Sequence, residues 1–270
     1  MEETLLSVTD KKYGLGLALS GGGAKGFAHL GAFKAISEYG LEPEIIAGTS
    51  VGAMMGAFFA DGYEPEEIAE LFKGKEFKSF VEFQMPRSGI FDSQGFRGFL
   101  KKHLRARLFE ELSIPLMVVA TDLDNGLSVT FDKGPLIEAV TASCSIPLIF
   151  NPVVIGGVHY VDGGLFRNFP VSVIRDACEK VIGVNVSPLI PLKYKQTLLH
   201  IAERSYHYMF RANTLKDRIL CDVLIENKAF GEYKTFDLEH IDELLALGYE
   251  ATKERLEKES IKKIPAAGNG

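Results

Sequence analysis

The residue most open to chemistry is Ser50, centred in Gly48-Thr49-Ser50-Val51-Gly52, where the apolar run "PEIIAG" meets the small-residue stretch "VGAMMGAFFA". At a strand-to-helix junction this spacing is the pattern of a nucleophile elbow, a tight turn that projects the serine hydroxyl outward. Residues two before and two after must be tiny because strand and helix backbones nearly touch there. Gly48 and Gly52 meet that need, and Ala53 and Gly56 extend it. A second candidate is Asp162, which follows the extended run "GVHYV" and precedes Gly163-Gly164, where the backbone can turn sharply beside it. The third is "LALSGGGAKGFAHLGAFKAI", a strand, a glycine turn and a helix, in which Gly21, Gly23 and Gly26 fit Gly-x-Gly-x-x-Gly. Amides so placed can meet the pyrophosphate of a dinucleotide or an oxyanion formed during a reaction.

An aliphatic hydroxyl needs a base within hydrogen-bond reach and donors for the oxyanion. The histidines after the elbow are His103, His159, His200, His207 and His240, and none sits in a glycine-rich loop after a clear strand. A partly buried Asp162 bonded directly to Ser50 could instead take the proton, its pKa raised toward the working range. The plain alternatives are a glycine turn with a surface serine and an ordinary Asp-Gly hairpin end. The dinucleotide reading wants an acidic residue at the end of the second strand to hold a ribose. Gly48-Thr49-Ser50 stands there, so the oxyanion is the better match.

These pieces need a scaffold. Strand-like runs recur at "GLGLALS", "EIIAG", "PLMVVATDL", "VVIGGVHYV", "KVIGVNVSP" and "CDVLIEN", mostly separated by helical spacing, which predicts an α/β layer with helices on both faces. Asn125-Gly126 and Gly156-Gly157 read as hairpin turns, so the sheet is expected to be mixed, with two hairpins added to a parallel centre. Long helical patterns run from about 194 to 217 and from 240 to 260, and the tail "IPAAGNG" reads as frayed. With no linker or internal repeat, one domain over 1–270 is the expectation, its motifs in a core of about 13–190 and a helical part at about 194–260. Residues 71–91 interleave Phe72, Phe77, Phe80 and Phe83 with Lys73, Lys75 and Lys78. That fits either a mobile cap touching a lipid surface or a core-facing helix with a solvated lysine face.

Composition excludes some partners. The 30 Lys and Arg against 36 Asp and Glu give a net charge of −6, which argues against a general affinity for nucleic acid. No secretory signal is read at the start, and the longest apolar run is too short to span a bilayer. Cys144, Cys178 and Cys221, odd in number and set in apolar surroundings, read as reduced thiols, so a reducing cytoplasm is the simplest setting. No metal-ligand cluster is visible, and no cofactor is called for.

Taken in order, "SGGGAKGFAHLG", "GTSVG" and "VDGG" resemble the patatin-like phospholipase family. "SGIFDSQGFRGFL", "PLMVVATDLDNG" and "ASCSIPLIFNPVVIGGVHYVDGGLFRNFPV" extend the likeness to small bacterial members over roughly residues 13 to 190. The resemblance implies a three-layer α/β fold with a mixed, mostly parallel central sheet flanked by helices, and a serine acyl hydrolase acting on lipid esters. It makes Ser50 the nucleophile, Asp162 its base, and the N–H groups of Gly21, Gly22 and Gly23 the oxyanion hole. Lys25 stands where the family usually has Arg or Lys, either steadying the loop or meeting a lipid phosphate. Ser20 departs from the Asp of plant members. Phospholipid, lysophospholipid, glyceride and soluble ester all stay open as substrates, as do transacylation, an idle regulator of the same fold and the oligomeric state. Any membrane contact is expected to be peripheral.

Overall fold

The computed structural model describes residues 11–74, 77, 93–147, 149–188, 197–235 and 238–260. Strands β1 (Tyr13–Leu19), β2 (Ile45–Thr49) and β3 (Leu116–Asp122) lie side by side and parallel, with α1 (Phe27–Glu38) and α2 (Val51–Ala60) between them in sequence. β4 (Leu127–Phe131) returns antiparallel to β3, and β5 (Val153–Ile155) and β6 (Val158–Asp162) form the second hairpin. β7 (Cys178–Asn185) pairs with β1 and β8 (Val223–Glu226) with β7, both parallel. The sheet therefore runs β5-β6-β3-β2-β1-β7-β8, with β4 joined to β3.

Both anticipated hairpin turns are present. Gly126 has φ 68°, and Gly156 and Gly157 have φ 60° and 84°, the doubly positive form that follows the right-handed twist of the strands.

Alternation along the strands sends side chains into two cores. Leu17, Leu19, Ile46 and Val118 face α1, α2, α5 (Leu136–Ser143) and α9 (Ile241–Lys258), whereas Ala18, Ile45, Ala47 and Val181 pack with Phe169 and α7 (Val171–Ile174), which follows the one-turn α6 (Gly164–Arg167). Burial at every position of β2 follows from helices covering both faces of a parallel strand. The region read as helical from 194 onward contains α8 (Leu198–Arg218) and α9, with β8 between them completing the sheet.

α3 (Pro65–Lys73) and α4 (Gln94–His103) carry an aromatic cluster in which Phe72 meets Phe27, Phe58, Phe77 and Phe99 at ring centroid separations of 4.6–5.7 Å. Phe72 and Phe77 are thus buried in this cluster. Lys73 is tied to Glu70 and Asp242. Lys75, Lys78, Phe80 and Phe83 lie outside the described residues.

The register of β3 positions the chemistry. Its Val118–Asp122 stretch gives one edge to β4, so its other edge is shared end to end by β2 and β6. Thr49 lies opposite Val119, and Asp162 lies opposite Ala120. β6 therefore runs head-on into the end of β2, which brings residue 162 to the turn at residue 50.

Candidate active site

Ser50 fills the single turn between β2 and α2 with φ 55° and ψ −126°. Among the described non-glycine residues only Ser260 shares a positive φ, a conformation costing about 1–3 kcal/mol that persists only where its surroundings impose it. Here they do. A Cβ on Gly48 would sit 2.6 Å from the Ala53 backbone, and one on Gly52 would sit 2.4 Å from the Leu19 carbonyl oxygen. The Ser50 N–H donates to Ser143 Oγ at 2.8 Å, and the Ser143 hydroxyl donates to the Val119 carbonyl at 2.6 Å. The strained peptide is thereby pinned to β3.

Asp162 is 1 % exposed, and its neighbours hold both its backbone and its side chain. Its N–H donates to the Ser145 carbonyl, and its own carbonyl accepts from the Thr121 hydroxyl. Carboxylate Oδ1 accepts the Gly164 N–H at 2.7 Å, while Oδ2 is buried with no hydrogen bond of regular geometry. Burial lifts the pKa to about 6, against a smaller downward pull from the Ser50 hydroxyl and the Gly164 N–H. Gly163 leaves no room for a side chain, since a Cβ there would lie 2.3 Å from the Val119 oxygen; one on Gly164 would meet Phe210 and Asp162 Oδ1.

The glycine turn after β1 is held from below. Ser20 is fully buried; its Oγ accepts the Val186 N–H at 2.9 Å, and its hydroxyl donates to the Gly21 carbonyl. His29 Nε2 donates to the Ser20 carbonyl at 2.9 Å, and burial pushes this imidazole down to about 4, so it is neutral at ordinary pH. The Gly21 N–H donates to the Asn168 carbonyl at 2.9 Å and the Ala24 N–H to Thr235. Between them the N–H groups of Gly22 and Gly23 have no acceptor among the described residues. Gly23 takes φ 61°, open to glycine at no strain. A Cβ on Gly26 would strike Val51 at 2.1 Å, so this glycine lets the helix of the first motif touch the helix of the second. Lys25 is buried without an ion pair among the described residues, and desolvation lowers its pKa to about 8.

A cavity of about 120 Å³ opens on Ser50 and Gly23. Phe27, Met54, Phe77, Phe96, Ile146 and Phe150 give it almost entirely apolar walls. Cys144 also borders it, but burial and the nearby Asp162 charge hold that thiol well above its usual pKa, so it stays protonated. The histidines are engaged elsewhere: His103 against the Phe99 ring, His159 with Asp124, and His240 against Tyr233. His200 and His207 lie on α8, with side chains outside the described set.

Three contributors were not singled out from sequence. Ser143 carries no spacing signature, because its role depends on where α5 meets β3. Asn168 sits inside the quoted stretch "VDGGLFRNFPV", but nothing local marks it out from a loop asparagine. His29 stands in the first motif itself, and a search restricted to histidines after the elbow passes it by.

The family model for patatin-like phospholipases matches residues 17–174. Protein YqhO of Bacillus subtilis is 32% identical over 63% of this chain and 70% of its own length. Patatin-like phospholipase domain-containing protein 7 of the rat is 27% identical over 87% of this chain but only 20% of that protein, and lysophospholipase NTE1 of Kluyveromyces lactis is 28% identical over 68% and 14%. The chain thus spans most of the bacterial relative and a small part of the eukaryotic ones. Among solved structures, VipD from Legionella pneumophila superposes with a TM-score of 0.51 at 14% identity, covering 92% of this chain and 67% of that one, a likeness of fold. With more than half of its length matched by the family model, the chain belongs to the patatin-like phospholipase family.

Proposed function

We propose that this chain hydrolyses fatty-acyl esters of lipids with Ser50 as nucleophile and Asp162 as its base. The observation that carries the reading is the meeting of β2 and β6 on one edge of β3, which brings a buried carboxylate to a strained serine that lines an apolar cavity. Ser50 Oγ attacks the ester carbonyl carbon as its proton passes to the Asp162 carboxylate. The carbonyl oxygen becomes an oxyanion that accepts hydrogen bonds from the Gly22 and Gly23 N–H groups, beside the positive end of α1. Collapse breaks the bond to the alcohol, which leaves with the proton from Asp162. Water then attacks the acyl-serine, giving its proton to Asp162, and the fatty acid departs as Ser50 regains that proton. Gly21, whose N–H is engaged by Asn168, contributes space and not a donor.

The apolar cavity supports an acyl chain over a nucleotide, because a pyrophosphate and ribose would find no charged partner among the described residues of its walls. Relatives named as phospholipase and lysophospholipase support the same substrate class. Among the described residues no helix is long and apolar enough to cross a membrane. Labelling with a fluorophosphonate, followed by peptide mapping, tests the reading. An adduct on Ser50 that is lost in Asp162→Asn is expected; unlabelled Ser50 in active protein would overturn it.

A further inference from the structure

We propose that the side-chain carboxamide of Asn168 is a third donor to the oxyanion, an assignment that rests on the Ser50 reading above. Asn168 is 1 % exposed, and both its Nδ2 and its Oδ1 lack a hydrogen-bond partner among the described residues. A buried amide left unmet is costly, and a partner that arrives with the reaction would meet it.

The position fits. A Cβ built on Gly21 would lie 2.4 Å from Asn168 Oδ1 and 3.2 Å from Ser50 Cβ, so the carboxamide and the serine flank one point at Gly21. Any other residue at 21 would push the carboxamide away. This gives the first glycine of the motif its reason, since its amide is already committed to Asn168.

The side chain is not needed to hold its own loop. The Asn168 N–H donates to Asn213 Oδ1 at 2.9 Å, and its carbonyl accepts the Gly21 N–H at 2.9 Å, so both anchors are backbone groups of residue 168. Having no bonds to break, the carboxamide is free to turn its N–H₂ toward the developing charge. Gly22, Gly23 and Asn168 then supply three donors, in place of the three consecutive amides that the family resemblance implies.

A structural and a catalytic role predict opposite results for stability. Asn168→Ala and the near-isosteric Asn168→Leu remove an unmet polar group, so the thermal midpoint should stay level or rise. For a soluble short-chain p-nitrophenyl ester, kcat should fall on the order of 100- to 1000-fold with KM nearly unchanged. The pH profile should keep its shape, because Asn168 does not titrate. If either folded variant keeps kcat within about threefold, or if the midpoint falls along with kcat in both variants, the proposal is overturned. Full turnover in Ser50→Ala would instead remove the underlying reading, and that outcome is distinct from an inert Asn168.

Discussion

The two sides of the site hold free energy in different forms. On the β2–α2 side the backbone is strained at Ser50, yet its N–H is bonded to Ser143 and its flanks are packed to contact. On the loop after β6 the backbone is ordinary, with Gly163 at φ −65° and Asn168 at φ −72°, but Asp162 Oδ2 has no hydrogen bond of regular geometry and both ends of the Asn168 carboxamide go unmet among the described residues. A nucleophile must be held in place before anything binds, which dihedral strain against a rigid frame achieves. A proton acceptor and an anion receptor must have capacity left for species that appear only in the reaction, which unmet polar groups provide.

Replacing the nucleophile gives the largest effect in this contrast. Ser50→Ala should lower ester turnover by roughly four orders of magnitude or more. Measured turnover within tenfold of the parent would move the chemistry away from the elbow altogether.

Asp162→Asn should reduce kcat by about 100- to 10,000-fold, because the amide cannot accept the serine proton. Its effect on stability should run the other way. The raised folded-state pKa, about 6 against 3.8, means that Asp162 favours folding below the unfolded pKa and that this contribution is lost as pH rises through 6. At pH 8 the variant should therefore be more stable than the parent by about 2–3 kcal/mol, with the difference shrinking toward pH 4. Denaturant titrations at the two pH values measure it. A variant less stable at pH 8 would mean that the carboxylate supports the loop and is not merely tolerated by it. Parent activity should rise with pH through about 6 as Asp162 ionises.

The motifs were legible because each is local: a glycine two residues from a serine, or two glycines after an aspartate, states its own steric requirement. The strands and both hairpins were legible for the same reason, as apolar runs punctuated by Asn-Gly and Gly-Gly. The end-to-end meeting of β2 and β6 was not, since it depends on which edge of β3 is left open by β4 and joins residues more than 100 positions apart. Ser143 and Asn168 were hidden behind that register. The phenylalanines at 72 and 77 left two readings open, because alternating aromatic and lysine residues suit a buried helix edge as well as a lipid-facing cap, and burial of the two rings is a tertiary fact.

Ser143→Ala tests whether the strained side depends on its hydrogen bonds. The substitution leaves the Ser50 N–H and the Val119 carbonyl without their shared partner, so stability should fall by about 1–3 kcal/mol. Activity should drop only modestly, through looser placement of the hydroxyl. Unchanged stability would mean that packing by Gly48 and Gly52 alone holds the turn.

The smallest effect isolates strain from bonding. Ser50→Gly and Ser50→Ala both lack the nucleophile, but only glycine adopts φ 55° without steric conflict. The glycine variant should be the more stable of the two by about 1 kcal/mol, even though glycine ordinarily loses more chain entropy on folding than alanine. Thermal unfolding of the two inactive proteins reads this difference without any substrate. If alanine proves equal or better, the turn at residue 50 is relaxed, and placement of the serine falls to the Ser143 bond and the packed glycines instead of to backbone strain.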